Sequence, residues 1–449
     1  MNLKHFDIII LGGGPAAAAT ALGMLRLGYS VGLVTQPRPF AALEGISQRV
    51  IEGLKGAGLE ASLEGLPPES PRQVSWNGQT NAANVETLVD RSCFDRAMVN
   101  HLQSTGVAVF QGRAEALTET VEGWTVSSNG VDNARLCGRF LVEARGRSAP
   151  ASGIERFKGP DTLSLLHYWH GPVCQPFSAV ESFEDGWAWM AVGADGCRYL
   201  QLTLDSKNTQ IPAKRDLPGF CVSKILGLEQ AARFIENATP TDQVHARTSA
   251  SVLHEQVVGE RWIRIGDAAM AVDPLSGNGI FQALSSALVA PAVINTLLVD
   301  PQAAAMAKNF YQQRTQQLFY RFARIGRDFY QMESRWQDRD FWCRRAVWPD
   351  RQQAHPDPQP GCWKIEPRPV VDRDLIRVAD VLVTPEQPLG IWRLLDIELA
   401  PVMRVLAAQP LNPSQPLKDL SVRLETSLGL DRQQAVRVCG WLHTQGLLS

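Results

Sequence analysis

The sequence predicts a mixed α/β (α+β) protein of more than one domain, on three observations. An apolar run meets a glycine cluster at the very start, alternating aromatic residues interrupt the middle, and a proline-studded segment precedes a periodic C-terminal end. At 449 residues the chain exceeds what one hydrophobic core organises, so two or three domains are expected.

The first element is Phe6 to Leu11, an apolar run of the kind that forms a strand buried on both faces. Small and helix-forming residues follow from Pro15 to Leu27, Gly28 supplies a stop, and Ser30 to Val34 reads as the next strand. That is a βαβ unit. Three β-type segments, Val107 to Phe110, Trp124 to Ser127 and Arg139 to Ala144, then break any simple doubly wound order. Between about Leu163 and Asp205 the alternation of Gly186 to Val192 and of Arg198 to Leu204 predicts an inserted antiparallel sheet.

After a strand at Trp262 to Ile265, helical patterning is expected up to about Ala346, with a local break at Pro291 to Pro301. The greasy stretch Ala283 to Val299 is too short and too polar for a comfortable membrane crossing and reads as a buried helix. Prolines 349, 356, 358, 360, 367 and 369 mark a linker. The expected division is a discontinuous nucleotide-binding domain (1–75, 90–162, 250–300) and a substrate domain (76–89, 163–249). A helical segment (301–348), the linker (349–369) and a winged-helix-like, peptide-docking domain (370–449) complete it.

Composition narrows the function classes. With 45% hydrophobic residues, 20% charged residues and a net charge of −2, the chain has no electrostatic footprint for nucleic acid or an anionic membrane. Eight cysteines without a CxxC pair or a tight His/Cys group argue against a metal site and a disulfide framework. With no signal-peptide pattern at the N-terminus, a cytoplasmic location is expected.

Gly12-Gly13-Gly14-Pro15-Ala16-Ala17 fits G-x-G-x-x-G/A directly between a strand and a helix. Glycine is needed there because a side chain would bar a pyrophosphate from the backbone N–H groups and the positive helix end. A carboxylate normally ends the second strand to hold the ribose hydroxyls. Here Thr35 and Gln36 stand in its place, which predicts weaker dinucleotide affinity.

Further along, Ile265-Gly266-Asp267-Ala268-Ala269 precedes Asp273-Pro274-Leu275-Ser276-Gly277-Asn278-Gly279. This pair resembles the second FAD fingerprint of the p-hydroxybenzoate-hydroxylase-like monooxygenases and flavin-dependent halogenases. The resemblance implies a glutathione-reductase-like FAD domain, Asp267 on the ribityl chain, and the turn Pro274, Gly277, Asn278, Gly279 beside the flavin pyrimidine. Reduced flavin is anionic there, and helix-start N–H donors stabilise such charge. Leu141 to Ala149 occupies the place of the family's A-D-G-x-x-S segment, with Ala144 and Gly146 against FAD and Arg145 where the hydroxylases carry Asp. Ala114, Ser47, Arg49 and Arg91 complete the cofactor set, the two arginines matching ones that approach the flavin or adenosine; either could instead be a solvated arginine on a helix face. Electrons would come from NAD(P)H or from a separate flavin reductase.

Halogenases of this family carry W-x-W-x-I-P and a lysine that captures hypohalous acid. Trp187 and Trp189 are present, but Ile-Pro is missing and no lysine lies between Lys55 and Lys158. Aromatic hydroxylation is therefore expected, with O2 used through a C4a-hydroperoxyflavin, and halogenation is the runner-up. Trp187 and Trp189 are candidates for the apolar wall of the chamber, with core packing the equal alternative. His167 and His170 are candidate bases, although a lone histidine is more often structural.

Leu43 to Glu60, Val89 to Asp95, Leu141 to Pro150 and Gly266 to Gly279 together are similar to flavoproteins of tryptophylquinone biogenesis that hydroxylate a precursor tryptophan in the γ subunit of quinohemoprotein amine dehydrogenase. That resemblance implies a crosslinked peptide or protein partner carrying the indole, oxygenated twice before export. The region Leu417 to Ser449 has four Lys or Arg against three acids, too little positive charge for tight phosphate binding. Peptide recognition or packing is thus preferred over a DNA-binding, flavin-sensing regulator.

Overall fold

A computed structural model describes residues 3–356, 361–409, 411 and 414–448, so Pro358 and Pro360 of the expected linker lie outside the described residues. The chain divides into two compact units, Met1–Ile294 with Tyr311–Gln352, and Asn295–Phe310 with Gln353–Ser449.

In the larger unit, Leu3–Leu11 pairs in parallel with Val31–Thr35 on one side and Ala134–Glu143 on the other. Ala108–Thr120 and Trp262–Arg264 extend that layer outward, also in parallel. The central position explains the apolar run: Ile8, Ile9, Ile10 and Leu11 are completely buried, as a strand covered on both faces requires. Past Gly112 the strand Ala108–Thr120 turns to pair antiparallel with Gly123–Gly130, which returns to Ala134–Glu143. This meander is the interruption of the doubly wound order.

The helix Pro15–Arg26 lies against the parallel layer, and Gly279–Val299 runs unbroken through Pro291. Of the break expected over Pro291 to Pro301, only the end is seen, at residues 300–303 ahead of Ala304–Gln331. The reason is local: a Cβ on Gly23 would sit 2.4 Å from Pro291 Cγ, so the bare glycine face receives the proline ring. Helical patterning also lapses after Gln331 and resumes at Asp340–Arg345. Gly279–Val299 is long and apolar enough to cross a membrane by length and composition, and half of its apolar window is buried within the protein.

The second layer is an eight-stranded sheet. Its order is Thr239–Thr248, Thr162–His170, Cys197–Asp205, Gly186–Val192, Ser178–Phe183, Ser70–Trp76, Gln79–Asp90 and Leu43–Ile46. It reaches further back than the expected substrate domain, because Ser70–Trp76 and Leu43–Ile46 are strands of the same sheet. Asn77 and Gly78 both have positive φ and close the hairpin Ser70–Trp76/Gln79–Asp90, a tight Asn-Gly turn that forces the two strands together.

Alternation gives this sheet two faces. One carries Leu165, Trp169, Ala188, Met190, Leu200 and Leu202 and is packed by Leu217, Cys221 and Ile225 of the helix Leu217–Leu226. The other carries Leu166, Tyr168, Ala191 and Tyr199, grouped with Leu43, Phe40 and Trp189.

The smaller unit holds the hairpin Lys364–Asp372/Leu375–Val383 and the helices Leu399–Ala408, Pro416–Leu428 and Arg432–Thr444. Their apolar faces meet in a core that includes Leu399, Met403, Leu420, Leu424, Val438 and Leu442. Asp431 and Gln434 form a reciprocal capping box at the start of the last helix. The architecture is the mixed α/β (α+β) one expected, with an inserted sheet and a mainly helical C-terminal unit.

Candidate functional site

The glycine turn is shaped by what it excludes. Gly12 has φ +115°, and a Cβ there would lie 2.3 Å from the carbonyl oxygen of Ala144; one on Gly13 would lie 2.3 Å from Thr35 Oγ1. Those two glycines let the chain pass between neighbouring strands. Gly14 differs: nothing stands within 4 Å of its missing Cβ. The space above it faces the start of Pro15–Arg26, where no side chain caps the helix and no acidic residue occupies the first turn. Early N–H groups of a helix have no partner within it, so this end is a ready anion site. Ala16 and Ala17 are buried beneath it, with Thr35 half-buried and Gln36 exposed at the strand end.

The second turn is built by side chains. Asp273 Oδ1 accepts from Leu275 N at 2.9 Å, Gly277 is left-handed at φ +62°, and its N–H donates to the Pro274 carbonyl. Gly279 then opens the helix in which Phe281 lies under the Arg49 guanidinium, 3.9 Å from the ring centroid. Ser47, exposed, precedes the helix that carries Arg49. Asp273 also accepts from Tyr330 Oη at 3.0 Å, and Tyr330 Oη accepts from Trp187 Nε1 at 3.2 Å. A single chain of hydrogen bonds therefore joins the tryptophan of the inserted sheet to this turn.

Asp267 is one-third exposed, with Arg147 Nε 3.5 Å away. Burial pushes its pKa up against the pull of Arg147. Arg147 is itself fixed by the carbonyls of Ala250 and Val272, each at 2.6 Å. Beside this pair stands a cluster of arginines and acids. Arg91 is buried and donates to Glu44 and, through both Nε and Nη2, to Asp95 Oδ1, while Arg38 donates to Asp95 Oδ2. Burial raises the Glu44 pKa, but Arg91 and Arg38 outweigh it and hold the carboxyl below its usual range. Arg145 is paired with Glu143, so its charge is spent within the strand end next to Ala144 and Gly146. Ala114 is buried in the meander core with Phe110, Val126 and Leu136.

The two candidate histidines fall apart. His167 is fully buried on the helix-covered face, Nε2 at 2.7 Å from the Thr241 carbonyl and Nδ1 accepting from Trp169 Nε1 at 3.2 Å. With both nitrogens engaged and its pKa lowered by burial, it is a structural histidine pointing away from Trp187 and Trp189. His170 is exposed at the strand end. His245 takes the opposite face: it stacks on Phe40 at 4.7 Å, meets the Tyr168 ring edge-on at 5.6 Å, and has Arg247 two residues along. Burial, Arg247 and Lys214 all lower its pKa. Arg247 is in turn coupled to Glu44, Arg147 and Arg91, which sets this strand end beside Asp267.

The architecture matches the solved structure of peptidyl tryptophan dihydroxylase QhpG, a protein essential for tryptophylquinone cofactor biogenesis. The two are 46% identical, cover 99% of this chain and all of that one, and superpose with a TM-score of 0.84. The chain belongs to the flavin-dependent monooxygenase and halogenase superfamily, in the branch of that dihydroxylase. The halogenase CmlS shares the fold at 17% identity and a TM-score of 0.77, covering 99% of this chain and 96% of its own. A tryptophan 2-halogenase of Chondromyces crocatus is 27% identical over 75% of this chain and 69% of that protein. No family model matches the chain.

As a flavin-dependent oxidoreductase, the chain has residues that fit FAD. The empty space over Gly14 faces an uncapped helix end, and Asp267 remains one-third exposed next to a fixed arginine. Pyrophosphate would lie over Gly12 to Ala17, the ribityl chain against Asp267, and the ring beside Pro274 to Gly279. Sequence reasoning missed Arg147, Arg247, His245, Asp273 and Tyr330 in this flavoenzyme. Arg147 and Asp273 carried a signal, each lying inside a segment already singled out; Arg247, His245 and Tyr330 become visible through pairings across the fold.

Proposed function

We propose that this enzyme is an FAD-dependent monooxygenase that hydroxylates the indole of a tryptophan held in a peptide or small protein, during assembly of a tryptophylquinone cofactor. One observation carries the reading: identity of 46% across 99% of the chain to a peptidyl tryptophan dihydroxylase. The missing Ile-Pro after Trp189 and the missing lysine weigh against halogenation.

FAD, when bound, supplies dioxygen activation on its reduced ring, and an electron-rich indole is the nucleophile that takes the oxygen. The chain's own residues hold and dry the ring. Trp189, Phe40, Tyr168 and Tyr199 make an apolar wall, and exclusion of water there protects the reactive oxygen. His245, kept neutral by its surroundings, accepts the proton that leaves the ring carbon when aromaticity returns. The Trp187–Tyr330–Asp273 chain keeps the wall and the flavin turn at a fixed spacing. Electrons come from NAD(P)H or a separate flavin reductase, and the reaction is placed in the cytoplasm, before the partner subunit is exported.

The test is to supply reduced, FAD-loaded enzyme with the crosslinked, tryptophan-bearing γ-subunit precursor under isotope-labelled O2. Labelled oxygen on the tryptophan, entering twice, is the expected result. Label found only in a free aromatic metabolite, with the protein untouched, would replace this reading with that of a small-molecule hydroxylase. Chlorine or bromine on the ring in the presence of halide would replace it with the halogenase.

A further inference from the structure

We propose that the edge strand Thr239–Thr248 binds the substrate's backbone as an added strand, through the outward-facing peptide groups of Val244, Ala246 and Thr248. The inference rests on the reading of the enzyme as a peptide hydroxylase and says where the peptide lies.

Thr239–Thr248 ends the eight-stranded sheet, and among the described residues its backbone ladder is with Thr162–His170 alone. The phase of that ladder is fixed at one end, where Ser249 N donates to the Thr162 carbonyl at 2.9 Å. With Thr248 opposite Leu163 and His245 opposite Leu166, the peptide groups of His245 and Arg247 turn inward. Those of Val244, Ala246 and Thr248 turn away from the sheet, because inward and outward groups alternate in an antiparallel pair. The neighbouring strand gives the same phase independently: Ser206 N donates to the Asp161 carbonyl on the far side of Thr162–His170.

Sheet edges are normally guarded, and this one is guarded over half its length. Pro240 lacks an N–H, and the register slips between His167 and Trp169. There Thr241 folds back to bond Tyr168 and receives Gln243 N. From Val244 onward the guards stop. Within the strand itself Ala246 and Thr248 are exposed, no proline or lysine interrupts, and Arg247 belongs to the site face; Lys214, from the turn before Leu217–Leu226, lies near His245.

The position is what makes the open half useful. His245 and Arg247 alternate with the outward residues and face Phe40 and the Asp267 neighbourhood. An extended peptide paired to Val244, Ala246 and Thr248 places every second side chain on that same face, next to His245. Main-chain bonds supply affinity for any sequence, and the aromatic wall selects the indole. A free amino acid has no chain to pair, so the arrangement favours tryptophan within a polypeptide.

The test measures amide hydrogen exchange in the FAD-loaded enzyme with and without the crosslinked γ-subunit precursor, alongside the variants Ala246→Pro and Ala246→Ser. Slowed exchange at Val244, Ala246 and Thr248 is expected. KM for the precursor should rise at least tenfold in Ala246→Pro with kcat and FAD content unchanged, and stay at the wild-type value in Ala246→Ser. Pro240 in the same strand shows that a missing N–H is tolerated there, and the exchange measurement decides the matter if Ala246→Pro does not fold. Oxygenation of the precursor with no protection at these amides overturns the docking mode and leaves the proposed function standing. No oxygenation of the precursor by the wild-type enzyme removes the function, and the docking mode with it.

Discussion

The inserted sheet presents two faces made from the same strands, and they differ in what each histidine is allowed to do. On the helix-covered side His167 has spent both ring nitrogens on Thr241 and Trp169 and is completely buried among leucines and the helix Leu217–Leu226. On the other side His245 is only part-buried, stacked on Phe40 and meeting Tyr168 edge-on, with Arg247 and Lys214 near it. Both have lowered pKa values. A pKa lowered by burial therefore does not mark a base, and what separates the two is which face the side chain takes.

The sharpest way to break this contrast is activity. Replacing His245 with Phe keeps the stack on Phe40 and removes the proton acceptor, so kcat should fall by about 10²–10⁴-fold, the usual worth of general base catalysis. FAD content and folding should be unaffected. An unchanged kcat would show that both faces are structural. Replacing His167 with Ala should do the reverse. Trp169 N–H and the Thr241 carbonyl lose their partner in a dry core, which costs about 2–4 kcal/mol of stability by denaturant titration. The folded fraction should turn over normally.

A smaller effect probes the link between the two regions of the site. Tyr330→Phe removes the acceptor of Trp187 N–H and one donor to Asp273, at about 1 kcal/mol for each of these two hydrogen bonds. If the chain of bonds holds the wall to the flavin turn, more of the activated oxygen should escape as hydrogen peroxide per turnover. Coupling identical to wild type would reduce Tyr330 to a packing residue.

Much of the frame could be read in the sequence, since local rules fix it. Gly12 to Ala17 follow an apolar run and precede a run of alanines, and the positive φ and close approach to Ala144 at Gly12 are ones that glycine alone takes without strain. Asn77-Gly78 is an equally local signal, and the hairpin it closes puts Ser70–Trp76 in the sheet layer and not in the nucleotide-binding domain. The parity of the histidines was not legible. It depends on the register that sets His245 opposite Leu166 rather than His167, and the pairing of two strands so far apart in the chain leaves no periodic trace in either. The link from Trp187 to Tyr330 spans 143 residues and ends at a carboxylate whose local duty, holding Leu275 N, already accounts for it. Long-range polar pairs of this kind follow from packing, and packing is where sequence periodicity stops being informative.

The finest distinction between the faces is in pH dependence, where the two histidines report through different observables. His245 must be neutral to accept a proton, and its pKa lies below the ordinary value of about 6.5. The kcat/KM profile should therefore stay flat through neutral pH and fall only as pH drops through the lowered value, and His245→Phe should lose that acid limb. His167 is neutral in the fold and takes up its proton more readily when unfolded. Between its folded pKa and about 6.5 the unfolded chain binds more protons, so stability is full above that window and declines as pH falls through it. His167→Ala should flatten this part of the stability curve while leaving the kcat/KM limb in place. If one substitution removes both limbs, the two faces are coupled through the sheet and the division between core and wall fails.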